Sequence, residues 1–176
     1  MQPILKEMNQ MSNLLDETQI ENYVKNIALL LSSEEEVQVI GLAAGRMGYA
    51  LRAFIMRLCH MGFNASMIGD TNVPRVNKRS ILLINSSSGE TPSIINYAQQ
   101  AKSENGKIFT TTCSTESTIG LLSDHYILLP TIQSQQLMKS PYEQFSMLLY
   151  DYIVIKIMNS LDLNHEKVSH NHSILE

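Results

Sequence analysis

SILLINSSSGETP, residues Ser80 to Pro92, decides the fold. Four apolar residues in succession, Ile81 to Ile84, show no polar alternation, and the run is too short for a buried helix. It predicts a strand covered on both faces, as strands of parallel sheets are. Asn85 and three serines end the run. Thr91 then offers an N-cap and Pro92 suits a first helical turn, where its missing N–H would be unpaired anyway. The helix this predicts continues through IINYAQQAKSEN to Gly106. Strand, serine loop and helix follow one another without a spare residue.

The same unit recurs on either side. Upstream, VQVIGL (Val37 to Leu42) predicts a strand, AAGRMG a glycine turn, and YALRAFIMRLCHMG a helix closed by Gly62, before a weaker strand, FNASMIG (Phe63 to Gly69). Downstream, KIFTTTC (Lys107 to Cys113) and HYILLP (His125 to Pro130) predict two more strands, with a short helix at Thr118 to Leu122 between them. A last long helix is expected over about Pro141 to Leu161, with Phe145, Leu148, Leu149, Tyr152, Ile153, Ile155 and Met158 as a broad apolar face. Leu14, Leu15, Ile20, Val24, Ile27 and Leu31 put one or two amphipathic helices into residues 1–33. The expected fold is therefore α/β, a flavodoxin-like, doubly wound, five-stranded parallel sheet preceded by an N-terminal helical segment. A single domain, 1–176, would comprise helices 1–33, an α/β core 37–161 and a polar tail 162–176.

Composition narrows the function. The chain has 176 residues, 44% of them apolar and 17% charged, and a net charge of -4. That is enough for a core and leaves no basic patch, so a nucleic-acid role is not expected. Cys59 and Cys113 have no metal or redox spacing, no segment approaches a membrane span, and the first ten residues lack the apolar run of a signal peptide. A cytoplasmic protein is expected.

In an open parallel sheet ligands bind at the carboxyl ends of the strands, and both unusual loops fall there. The hydroxyls of Ser86, Ser88 and Thr91, with Ser87 beside them and backbone N–H groups freed by Gly89, suit a phosphate placed at a helix N-terminus. The first loop, Gly41-Leu42-Ala43-Ala44-Gly45-Arg46-Met47-Gly48, does not have dinucleotide spacing. Asp70, 22 residues beyond Gly48, nonetheless stands where a ribose-binding acid would be.

The order of Ala43-Ala44-Gly45-Arg46-Met47-Gly48, Leu58-Cys59-His60-Met61-Gly62 and Ser86-Ser87-Ser88-Gly89-Glu90-Thr91 resembles the sugar isomerase (SIS) domain, and within it the 6-phospho-3-hexuloisomerases. The resemblance extends to Tyr142-Glu143 and the closing stretch His172 to Glu176. It implies a phosphosugar held by Gly45, Arg46 and the serine loop, an isomerase without metal or organic cofactor, and a homotetramer or dimer whose sites combine residues of neighbouring subunits. The chain departs from the family pattern at Ala43 and Met47, where Gly and Ser are usual, and at Glu90, where a basic or polar residue is common. Lys139-Ser140-Pro141 replaces a Gly-Thr or Gly-Ser stretch. These departures motivate a second expectation, a non-catalytic phosphosugar-binding regulatory module.

Moving a carbonyl along a sugar needs a base, and Glu143 is the candidate. A competing role is a capping box in which Glu143 bonds back to the Ser140 N–H. His60 is expected at a helix C-terminus, where it caps the helix or relays protons in a neighbour's site. His172 is a second candidate relay. His170 and His172 lack a third ligand, so no metal is expected. Arg46 is placed to bind a phosphate or a sugar hydroxyl, or to pair with an acid. Cys113 is expected to be a buried small residue at a strand end.

Overall fold

The computed structural model describes residues 1–33 and 36–172. Glu34 and Glu35 of the acidic run and the closing residues 173–176 lie outside the described residues. The elements are α1 (Gln2–Asn13), α2 (Glu17–Leu31), β1 (Gln38–Ala43), α3 (Arg46–His60), β2 (Asn64–Met67), β3 (Ser80–Asn85), α4 (Pro92–Ser103), β4 (Lys107–Thr112), α5 (Thr118–Leu122), β5 (His125–Leu128), α6 (Ser140–Ser160) and α7 (His165–His170).

The five strands form one parallel sheet in the order β2-β1-β3-β4-β5, the doubly wound arrangement expected. Its central strand, β3, is buried at all six positions, and successive residues serve opposite faces. Ile81 and Leu83 join the core beneath α1, α2, α3 and α6, while Leu82 and Ile84 join the core beneath α4 and α5. Each such side chain, fully removed from water, contributes roughly 2 kcal/mol. The pairs Ala43 with Asn85 and Asn85 with Thr111 bring the carboxyl ends of β1, β3 and β4 to one edge, where the loops to α3 and α4 begin.

Of the one or two N-terminal helices expected, two form, because the Asp16 carboxylate accepts the Thr18 N–H at 2.9 Å and starts α2 afresh. Other local expectations are corrected. Gly41 is not in a loop: it lies within β1, where a Cβ would run into Met67 and Ile55. The helix after it starts at Arg46, so Arg46-Met47-Gly48 is a first turn entered through Gly45 at φ 58°, a left-handed conformation that favours glycine. The polar tail contains α7, anchored by Leu163 and Val168 against the core and by Asn171 Nδ2, which donates to the His60 carbonyl at 3.0 Å. On α6, Phe145, Leu149 and Ile153 are buried, but Leu148, Tyr152 and Ile155 are 53%, 39% and 56% exposed. Three of the seven residues of its expected apolar face thus meet solvent in the single chain. Among the described residues no helix is long and apolar enough to cross a membrane.

Candidate active site at the carboxyl edge of the sheet

The strand-to-helix loop after β3 is organised by its own hydroxyls. Ser86, buried at the end of the strand, accepts the Gly89 N–H at 3.2 Å, and Ser88, exposed, accepts the Glu90 N–H at 3.2 Å. Each hydroxyl acts there as an acceptor, so its own hydrogen is left to donate to an anion. Gly89 has φ 65°, and a side chain at that position would collide with Ser117. Thr91 occupies the N-cap position of α4, but its hydroxyl makes no capping bond. Ser87 is separated from the other two: it is buried and donates to Cys113 Sγ at 3.5 Å.

Glu90 does not face the loop interior. Its carboxylate accepts the Thr118 N–H at 2.7 Å and the Thr118 hydroxyl at 2.9 Å, capping α5. The acid expected to lie beside a phosphate is committed to a neighbouring helix.

Arg46 and Glu143 meet. Arg46 Nε lies 2.8 Å from Glu143 Oε2, with the arginine 62% exposed and the glutamate 14%. The expected capping box is absent, since α6 starts at Ser140 with Lys139 in the N-cap position and no side-chain cap, and the Ser140 N–H bonds to the Leu137 carbonyl. Glu143 is therefore in the first turn of α6 with its carboxylate held across to the first turn of α3.

Beneath these groups lies a buried polar cluster centred on Asn85. The Tyr142 hydroxyl lies 2.7 Å from both Asn85 Oδ1 and the Thr111 carbonyl oxygen, and its single hydrogen is donated to one or the other. Asn85 Nδ2 donates to the Met47 carbonyl at 3.2 Å and to Ser146 Oγ at 3.3 Å. Burial pushes the Tyr142 phenol well above its ordinary pKa, so it remains a neutral donor. Sequence reading passed over Asn85; an amide ending an apolar strand is the signal that points to it. A cavity of about 160 Å³ adjoins the cluster, lined by Ser87, Cys113, Lys139 and Tyr142 among others. Burial raises the Cys113 thiol pKa, so the thiol remains protonated there. A larger groove, about 640 Å³, runs between α2 and α6 and is lined by none of the candidate site residues.

His60 and His172 are brought together, but elsewhere. His60 ends α3, whose other end carries Arg46, so about 21 Å of helix separates the two. The His60 ring is buried, 4.9 Å from that of His172 and with Nδ1 3.4 Å from Arg57 Nη1. Among the described residues no group of three potential metal ligands occurs. Asp70 is also committed. Arg52 at 3.0 Å holds its pKa below the usual range, with the Met67 N–H helping, which leaves the ribose-binding expectation without its acid.

A family described as the SIS domain matches residues 30–150. A Bacillus subtilis protein named 3-hexulose-6-phosphate isomerase is 34% identical, over 90% of this chain and 96% of its own. A Methanocaldococcus jannaschii protein of the same name is 32% identical over 73% and 71%. Among solved structures, a hypothetical protein of Methanococcus jannaschii superposes with a TM-score of 0.84 at 25% identity, covering 99% of this chain and 98% of that one. Its structure is described as inferring a function of 3-hexulose-6-phosphate isomerase.

Proposed function

The chain belongs to the SIS domain family, and from that premise we propose that it interconverts D-arabino-3-hexulose 6-phosphate and fructose 6-phosphate. It is a phosphosugar isomerase, and three relatives aligned over 90%, 73% and 79% of its length carry the name of that 3-ketose activity. The observation that carries the mechanism is the Arg46–Glu143 pair at the edge where the serine loop opens.

The phosphate sits against Ser86, Ser88, Thr91 and the first turn of α4, with Gly45 leaving room and Ser87 and Gly89 shaping the loop. Helix-terminal N–H groups and hydroxyl donors favour the anion there. With Glu90 turned toward Thr118, the loop presents no carboxylate to it. Glu143 takes the proton from C2 of the 3-ketose, the C2–C3 enediolate forms, and a proton returned to C3 leaves the carbonyl at C2. The C2 proton is replaced by one at C3 and one proton passes from O2 to O3, so the reaction is redox-neutral and needs no oxidant or reductant. Arg46 orients the carboxylate and offers its exposed guanidinium to the developing oxyanion.

His60 or His172 serves as the proton relay from a neighbouring copy, in a homotetramer or dimer with shared sites. The distance from Arg46 to His60 within one chain supports that arrangement, as does the solvent-facing stripe of Leu148, Tyr152 and Ile155 on α6. The two free cysteines suit a reducing compartment, the cytoplasm.

The test is direct. Purified protein is expected to convert the 3-ketose phosphate, and Glu143→Gln to lower turnover by about 10³-fold while thermal stabilisation by fructose 6-phosphate persists. Turnover unchanged in that variant would remove Glu143 from the mechanism. Stabilisation of the unaltered protein by phosphosugars, with no turnover of any, would favour the non-catalytic module.

A further inference from the structure

We infer that Asn85 and Tyr142 form a positioning latch that fixes the three site-bearing segments in one register, so that turnover depends on two residues that never touch the sugar. The inference rests on the isomerase reading of this edge. Three members of the cluster are chain neighbours of proposed site residues: Asn85 precedes Ser86, Tyr142 precedes Glu143, and Met47, whose carbonyl accepts from Asn85, follows Arg46. The hydrogen bonds join β3, β4, α3 and α6 at one point.

The cluster is buried and its polar atoms face one another. Asn85 is 0% exposed, Ser146 0% and Tyr142 3%. Asn85 directs both amide hydrogens to acceptors, Met47 O and Ser146 Oγ, and the Tyr142 hydroxyl stands within 2.7 Å of an acceptor on each of two strands, Asn85 Oδ1 and Thr111 O. A buried polar group without a partner is costly, so a shift of any one segment would strand several others. The hydrogen bonds therefore permit one relative placement of the three segments. Catalysis needs that placement, because a base displaced by even 1 Å loses much of its effect.

Nothing about core packing calls for these groups. An apolar residue in place of Asn85 and a phenylalanine in place of Tyr142 would fill the same interior without polar atoms. What the polar version adds is direction, since each bond specifies an angle as well as a contact.

The test is Tyr142→Phe, which removes one oxygen and leaves the ring. Hydrogen–deuterium exchange is expected to quicken by about tenfold together in the first turns of α3 and α6 and in the serine loop, with distant elements unchanged. In the isomerase assay, kcat is expected to fall about tenfold with KM within about twofold, at a temperature where the variant is folded. Faster exchange confined to α6, or spread evenly over the protein, overturns the latch, as does a lowered melting temperature with an unchanged kcat. Should Tyr142→Phe fail to fold, Ser146→Ala cuts a second tie to α6 and is read by the same two criteria, with an expected effect of about threefold. Absence of isomerase activity in the unaltered protein would sink the functional reading, whereas the exchange pattern still decides whether the latch exists.

Discussion

A carboxylate one residue from a phosphate loop repels the anion unless something else holds it, and Glu90 is held by both donors of Thr118. It stabilises the start of α5 and leaves the loop to its serines. Glu90→Ala should therefore lower unfolding stability by about 1 kcal/mol, the usual effect of losing a helix cap. Affinity for fructose 6-phosphate should change by less than about twofold, because a charge directed away from a site and exposed to solvent is screened. Denaturant melts and a ligand titration check both. Tightening of about fivefold or more would show that the carboxylate does face the phosphate. Single residues were legible here when their neighbours in sequence supplied the reason, as for Ser86, Gly89 and Pro92. Glu90 was not, because its partner is 28 positions away. The same holds for Glu143: four adjacent residues suggested a capping box, and Arg46, in another helix, claims the carboxylate.

Elements were legible where hydrophobic period and length agreed. The β3 run has no reading except a buried strand, and Thr118–Leu122 follows a serine cap that does accept the Gly120 N–H. The start of α3 was not legible, because Gly45 and Gly48 flank it and glycine usually marks a turn. The helix α7 was missed because it has only six residues and its anchors, Leu163 and Val168, fall outside the common helical spacing. Strand β5 carries a titration that the sequence does not advertise. His125 packs its ring 4.6 Å from that of Phe109. Burial lowers its pKa, Lys107 and Lys102 add to the effect, and Asp124 opposes it. As the pH falls, the unfolded chain binds this proton before the folded one does. The contribution to stability is complete above the ordinary histidine value of about 6.5 and declines as the pH drops toward the lowered one. Unfolding measured at pH 7.5 and 5.5, values chosen on either side of about 6.5, should show a smaller acid loss in His125→Phe than in the unaltered protein. Equal losses would take His125 out of the acid response.

At the scale of the whole molecule the sheet order was legible, because parallel strands with helical crossovers leave few topologies, and with it the carboxyl edge where the glycine and serine loops stand. How one copy meets another was not legible, since the exposed stripe on α6 has the same composition as its buried side. The candidate base and candidate relays lie at opposite ends of helix α3, so one chain does not bring them together. If sites are shared between copies, a protein lacking only Glu143 and a protein lacking only His60 carry complementary defects. Glu143→Gln and His60→Ala should each be nearly inactive alone. After co-refolding in equal amounts, random pairing makes half the dimers mixed, and each mixed dimer holds one site with both residues intact and one with neither. About a quarter of the unaltered activity should return in that case. Recovery should track the fraction of mixed assemblies, measured by tagging the two variants differently and isolating doubly tagged protein. Doubly tagged assemblies with no activity, when both variants are inactive alone, would mean that His60 does not complement Glu143 across the interface. Full activity of His60→Ala by itself would leave His172 as the remaining relay, to be tested by the same mixing with Glu143→Gln.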